Sequence, residues 1–330
     1  MSESITLLQE IEHEMRELRH RIHANPELGY QEVETSQLVA ERLLKWGYQV
    51  TRGLAETAVI GTLKKGTGTR VVGIRADMDA LPILEKTGLP YASRIPGKMH
   101  ACGHDGHTVM LLAAAYALAH DHPFDGTVHL IFQPAEEGLA GARRMIQEGV
   151  LQQFPCDAVF AAHNMPGYPT GKLGFRAGPF MASADQVNVT IHGKGGHGAM
   201  PHLTVDPVVV CASIIMALQT IVSRNVSPQE MSVITVGAVN AGKASNVIAD
   251  SAHMLISVRA LDNTVRDRLE HQIKQLIHAQ AQAFGASAEI DYSADYPLLI
   301  NDAHMTRFAS QVATDWLGPD EVMNLSLIHI

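Results

Sequence analysis

Cysteine is scarce in this chain of 330 residues: Cys102, Cys156 and Cys211 are the only three, and they are widely spaced. An odd, scattered set excludes a disulfide framework and fits a reducing compartment, so a cytoplasmic protein is expected. Clusters of basic residues are missing as well. With 25 lysines and arginines against 34 acidic residues the formal net charge is −9, and no segment forms the cationic stripe that a phosphate backbone requires. Nucleic acid is therefore not expected as a partner. Long apolar runs are also wanting. The longest, VMLLAAAYALA (Val109 to Ala119), falls well short of the ~20 residues that cross a bilayer, and the N-terminal stretch mixes charges where a secretory signal has an apolar centre. No membrane association is expected. Low-complexity segments and internal repeats are absent, and 46% hydrophobic with 18% charged residues is too apolar for a disordered chain.

What is present is enough material for two domains. In the first half, β-branched apolar runs alternate with helical periodicity. TRVVGIRAD (Thr69 to Asp77), TVHLIFQPA (Thr127 to Ala135) and DAVFAAHN (Asp157 to Asn164) read as buried strands, with helices SQLVAERLLKWG, GHTVMLLAAAYALAH and GARRMIQEGV before or between them. This order predicts an α/β fold with a mixed central sheet flanked by helices. From Asp185 onward the order becomes strand, helix, two strands, helix, strand. That is a smaller α+β unit inserted at 184–296, with 1–183 and 297–330 forming the first domain.

Potential ligands follow each strong strand, where open α/β sheets place their sites. In HACGHDGH (His100 to His107), Cys102 and His104 are two apart, so an extended loop turns both to one side, and the apolar helix that follows favours a thiolate. The segment taken alone favours metal binding over a structural thiol. His100 and His107 are weaker candidates, read as supporting or helix-surface residues. In QPAEEG, the adjacent Glu136 and Glu137 diverge, so one can bind metal while the other acts as a general base; their plain alternative is the acidic start of a helix. His163 in AAHNMP is a lone histidine after a strand, commonly a satisfied core residue. Asp77 and Asp79 in RADMDALP either orient histidine ligands or cap a turn. Together these elements place Cys, His, Glu and His at three strand ends, which a metal-hydrolase site explains best.

HANPELG, RADMDALP, HACGHDGH, QPAEEG, AAHNMP and GKGGHGAMPH, in this order, resemble the metal-dependent amidohydrolases of the aminoacylase and carboxypeptidase superfamily, and most of all its hippurate hydrolase and indoleacetyl-amino-acid hydrolase branch. The resemblance covers nearly the whole chain. It implies a two-metal centre of zinc or manganese held by Cys102, His104, Glu137 and His163, with Glu136 as general base and Asp79 behind the ligands. It implies that the inserted domain is a lid and a homodimerisation surface, and that His197 stabilises the oxyanion of an N-acyl amino acid whose polar groups meet Asn246 and Arg259. Read without it, His197 is a solvated loop histidine and Arg259 a surface-paired strand arginine. The chain departs from the pattern at Ala249, where proline is frequent. It also lacks the final serine-glutamate-aspartate-phenylalanine motif and the last metal-binding histidine: NLSLIHI offers only His329, with no motif around it. A truncated, catalytically impaired metal-binding module is thus one alternative expectation. A dipeptidase on the same scaffold and a thiol enzyme using Cys102 are the others.

Overall fold

The computed structural model describes residues 3–120 and 123–325; His329 lies outside the described residues. Its two compact units are Met1–Tyr168 and Pro169–Ile330.

In the first unit the order is α1 (Glu3–Ala24), α2 (Val33–Lys45), β1 (Gln49–Arg52), β2 (Val59–Lys65), β3 (Val71–Asp77), α3 (His104–His120), β4 (Gly126–Gln133), α4 (Gly141–Gln147), α5 (Val150–Gln153) and β5 (Ala158–Ala161). The strands form one mixed sheet in the order β1-β2-β4-β3-β5. Strands β1, β2 and β4 pair antiparallel in sequence, while β3 lies parallel between β4 and β5. This is the mixed, helix-flanked sheet expected from the sequence, and the three predicted strands are its parallel core. One face packs under α1, α2 and α3 through residues such as Leu18, Val39, Leu43, Leu112, Leu130 and Phe132. A smaller cluster of Ile60, Ile131, Met145 and Val150 seats α4 and α5. Parallel alignment matters for function because it brings the carboxyl ends of β3, β4 and β5 to the same edge of the sheet.

The second unit holds β6 (Leu173–Phe175), β7 (Gly178–Met181), β8 (Ala184–His192), β9 (Gly196–His197), α6 (Pro207–Thr220), β10 (Ser232–Ala241), β11 (Val247–Ile248), β12 (Ser251–Ala260), α7 (Asn263–Ala283), β13 (Ser287–Tyr296), β14 (Leu299–Asn301), α8 (Ala303–Leu317) and β15 (Val322–Asn324). An antiparallel sheet β10-β12-β8-β13 carries α6 and α7 on one face. The period-2 pattern is strict: Val187, Val189 and Ile191 of β8 and Met254, Ile256 and Val258 of β12 are buried, and their neighbours are not. On α7 the buried Val265, Leu269, Ile273 and Ile277 recur every fourth residue, behind an N-cap in which Asp262 accepts from the Val265 amide.

These elements lie within 184–296, but the compact units divide elsewhere, at 168/169. Residues 169–183 and 297–330 group with the second unit because β14 pairs with β7 and β15 pairs with β6. The helical run Pro207–Asn225 is, by length and composition, long and apolar enough to cross a membrane, which Ser213 and Gln219 conceal when apolar residues are counted consecutively. Its Val210, Ile214, Leu218 and Ile221 are buried in the second core, the ordinary setting of such a helix in a folded domain.

Candidate metal centre

Local backbone chemistry sets each ligand in place. Gly103 lies between Cys102 and His104 at φ +91°, and a Cβ there would meet Asn164 Oδ1 at 2.3 Å, so only glycine makes this turn into α3. Helix α3 then starts at His104 and places His104 and His107, one turn apart, on its buried side. Asp77 ends β3 and Asp79 follows it. Glu136 and Glu137 follow β4, and His163 follows β5.

The fold brings the predicted ligands together. Cys102, His104 and His163 form one group of donors; Asp77, His104 and His107 a second; His104, Glu136 and Glu137 a third. Within each group the ligand atoms lie within 4.8 Å of one another, and His104 belongs to all three. His104 Nε2 is 3.6 Å from Asp77 Oδ2 and 3.9 Å from both Glu136 Oε2 and Glu137 Oε1. Among the described residues, neither His104 Nε2 nor Glu137 Oε1 has a hydrogen-bond partner, although both are buried. Leaving two such groups sealed from water costs free energy unless another species sits between them. A divalent cation with ligands at ~2.0–2.3 Å fits that requirement, and thiolate, imidazole and carboxylate donors suit it chemically.

Supporting contacts orient these ligands. Asp79 is buried and accepts at both oxygens: Oδ1 is 3.2 Å from His104 Nδ1, and Oδ2 receives the Glu137 amide at 2.8 Å. The contact with Asp79 leaves His104 Nε2 as the ligating atom. Similarly, His163 Nδ1 donates to the Asn164 carbonyl at 2.6 Å, and its Nε2 is 3.4 Å from Cys102 Sγ. His163 is exposed, so it is not a core histidine. His107 is buried, and it is no helix-surface residue: its Nδ1 is 2.6 Å from Asp77 Oδ1 and its Nε2 accepts the Asn164 amide at 3.0 Å. His100 is buried outside all three donor groups.

The electrostatics follow from this packing. Burial opposes charge on His104, but the hydrogen bond to Asp79, the nearby Cys102 and the charges of Asp77 and Asp79 outweigh it, so without metal the imidazole is held protonated, up to about 11. Burial also opposes charge on Asp77, yet the His107 hydrogen bond and the Arg75 guanidinium, 2.8 Å away, keep its carboxyl well below the ordinary range. Partial desolvation by its neighbours pushes His163 down, toward the neutral form that a metal would require. Burial and the neighbouring charge of Glu137 push Glu136 up, the direction that makes a carboxylate a better base near neutral pH. At His100 burial lowers the value to about 4, leaving a neutral ring.

In the second unit, β9 and β11 form a small antiparallel ladder that pairs His197 with Val247, and the Gly198 amide donates to the Asn246 carbonyl at 2.8 Å. The structure thus sets the segment of His197, the predicted oxyanion residue, beside that of Asn246, a predicted substrate residue, which are far apart in sequence. His197 Nδ1 accepts the Ala199 amide at 3.1 Å, which places the ring proton on Nε2. Arg259 lies on the exposed side of β12, cross-strand from Val233, and makes no ion pair among the described residues.

Sequence reasoning passed over three supporting groups: Arg75, Asn164 as the partner of His107, and Glu32, which accepts the Ala135 amide at 2.7 Å. His107 itself stood among the supporting candidates, and its contact with Asp77 agrees with that reading. Glu32 carries no local mark, because its partner is 103 residues away.

The model of peptidase family M20/M25/M40 matches residues 73–327. Hippurate hydrolase of Campylobacter jejuni is 45% identical over 309 residues, covering 94% of this chain and 80% of that protein. Thermostable carboxypeptidase 2 of Saccharolobus solfataricus is 40% identical over 304 residues, covering 91% and 77%. The solved structure of the Bacillus subtilis YXEP protein, titled a dinuclear metal binding peptidase from the M20 family, superposes with a TM-score of 0.80 at 33% identity, covering 96% of this chain and 83% of that one. The candidate ligands at the strand ends thus lie in a chain whose family match, relatives and fold agree over most of its length, and this protein belongs to peptidase family M20/M25/M40 as an amidohydrolase.

Proposed function

We propose that this amidohydrolase cleaves the amide bond of N-acyl or N-aroyl amino acids of the hippurate type, releasing a carboxylic acid and a free amino acid. The observation that carries the reading is the buried His104, which belongs to all three donor groups and whose Nε2 has no hydrogen-bond partner among the described residues, with Glu136 beside it. Cys102, His104, Glu137 and His163 are the residues we assign to two divalent ions, zinc or manganese. Such ions, when bound, polarise a carbonyl and lower the pKa of water.

The protein's own groups do the rest. Glu136, raised above an ordinary carboxylate, takes the proton of the attacking water and returns it to the leaving amine. For His197 we adopt the role implied by the resemblance: its Nε2–H donates to the oxyanion as charge develops on it. Asn246 and Arg259 are assigned to the amino-acid end, and the guanidinium of Arg259, in no ion pair among the described residues, supports a carboxylate partner. A homodimer formed through 184–296 and a cytoplasmic location belong to the same proposal, the latter supported by the scarcity of cysteine.

The name of the carboxypeptidase relative supports a second reading, cleavage of peptides on the same scaffold. A panel of N-benzoylglycine, N-acetyl amino acids and dipeptides, assayed with zinc or manganese, separates the two by the ratio of kcat/KM. Glu136→Ala is expected to retain its metal and to lose kcat by about 10²–10⁴-fold. Retained turnover would remove Glu136 from the base role.

A further inference from the structure

We propose that Glu32 is a positioning residue whose carboxylate, by holding the Ala135 amide, sets the aim of Glu136; the inference rests on the base role given to Glu136 above. Glu32 precedes α2 and is 0% exposed. No cation pairs with it among the described residues; its partners are Thr57 Oγ1, donating to Oε2 at 2.7 Å, and the Ala135 amide, donating to Oε1 at 2.7 Å. Burial raises its pKa against the opposing effect of these hydrogen bonds. An apolar residue would fill the position at less cost, so the carboxylate is best explained by what it holds.

The residue it holds is strained. Ala135 is buried at φ +52°, a left-handed conformation that alanine keeps only where its surroundings enforce it. The enforcement is visible on all sides. A Cβ on Gly29 would lie 3.0 Å from Ala135 Cα, one on Gly141 would meet the Pro134 carbonyl at 1.8 Å, and the Gly141 amide donates to the Ala135 carbonyl at 2.8 Å. Tyr30 hydroxyl reaches the Leu139 carbonyl at 3.1 Å. The segment from Gly29 to Glu32 is therefore a bed for the turn after β4.

Two residues beyond Ala135, the Glu137 amide is held by Asp79. Two buried carboxylates thus grip the amides on either side of Glu136, and the backbone bearing the base has little freedom to turn. Displacing a reacting group by ~1 Å costs on the order of 10²-fold in rate, the loss this bracket prevents.

The test compares Glu32→Met, which keeps the volume and removes both acceptors, with Glu32→Gln, whose amide oxygen accepts from Ala135 and whose NH₂ donates to the Thr57 hydroxyl. In Glu32→Met, kcat is expected to fall about 10–100-fold with KM within ~3-fold, and zinc affinity about tenfold at unchanged stoichiometry, because Glu137 shares the turn. Glu32→Gln is expected to recover both to within ~3-fold. Wild-type kcat and zinc affinity in Glu32→Met would overturn the proposal, as would equal losses in both variants when both melt like wild type. If Glu32→Met does not fold, Thr57→Val, which removes only the second tether, decides: a kcat drop of about threefold or more supports the inference, and an unchanged kcat overturns it. If the wild-type protein binds zinc yet hydrolyses none of the amides, the functional reading fails instead, and the zinc-affinity ratio of the Glu32 variants alone judges the inference.

Discussion

Replacing Asp79 by asparagine changes one atom of a buried side chain and removes one acceptor from the metal centre. In the native site both oxygens are used, Oδ1 at 3.2 Å from His104 Nδ1 and Oδ2 at 2.8 Å from the Glu137 amide. Asparagine offers one oxygen, so either His104 Nδ1–H or the Glu137 N–H must face an NH₂ group, donor against donor. Losing one hydrogen bond to a charged acceptor costs about 1.5–3 kcal/mol. Both partners are themselves assigned as ligands, so the loss is expected to reach the metal: zinc affinity should fall about 10–100-fold, equivalent to about 1.4–2.7 kcal/mol. Competition against a chromophoric chelator measures it, with the exposed Asp291→Asn as control. An Asp79→Asn protein that folds normally and binds zinc within ~3-fold of wild type would refute the argument that Asp79 orients His104 and Glu137.

Three further outcomes are expected. The metal-free protein should be most stable between about pH 4 and pH 6.5: the contribution of Asp77, whose value is lowered from 3.8, is present above that value and lost as pH falls, while that of His104, raised from 6.5 to about 11, is present below 6.5 and lost as pH rises toward 11. Thermal melts of chelator-treated protein across this range check it, and a flat alkaline side would count against the His104 environment described here. Gly103→Ala must leave φ +91° or press on Asn164, at a cost of about 1–3 kcal/mol, and should lower both the melting temperature and zinc affinity. In the second unit, Asp185 takes Arg266 in a two-pronged ion pair and also the Tyr292 hydroxyl at 2.8 Å; Asp185→Ala should cost about 3 kcal/mol in denaturant unfolding by leaving Arg266 unpaired.

Much of this architecture could be read without coordinates because the signals are local. The apolar runs ending at Asp77, before Glu136 and before His163 are short, β-branched and bounded by turn residues, and they became β3, β4 and β5. The period-2 alternation in β8 and β12 and the every-fourth spacing in α7 made the second sheet and its helix equally plain. The compact-unit boundary was not legible, because it depends on β14 and β15 pairing with strands more than 100 residues earlier. The β9–β11 ladder escaped notice too, being only two residues long on each side.

The ligand types and their places at strand ends were thus contained in the order of residues, since burial of each strand and the turn after it are decided within a few positions along the chain. The parallel alignment that makes three strand ends converge was settled only in three dimensions. So were the sealed nitrogen of His104, the two-handed grip of Asp79, and the reach of Glu32 to Ala135 across 103 residues. The Asp79–Glu137 and Glu32–Ala135 contacts join side chains to backbone amides at long separation, and a hydrogen bond of that kind leaves no periodicity in either segment it connects.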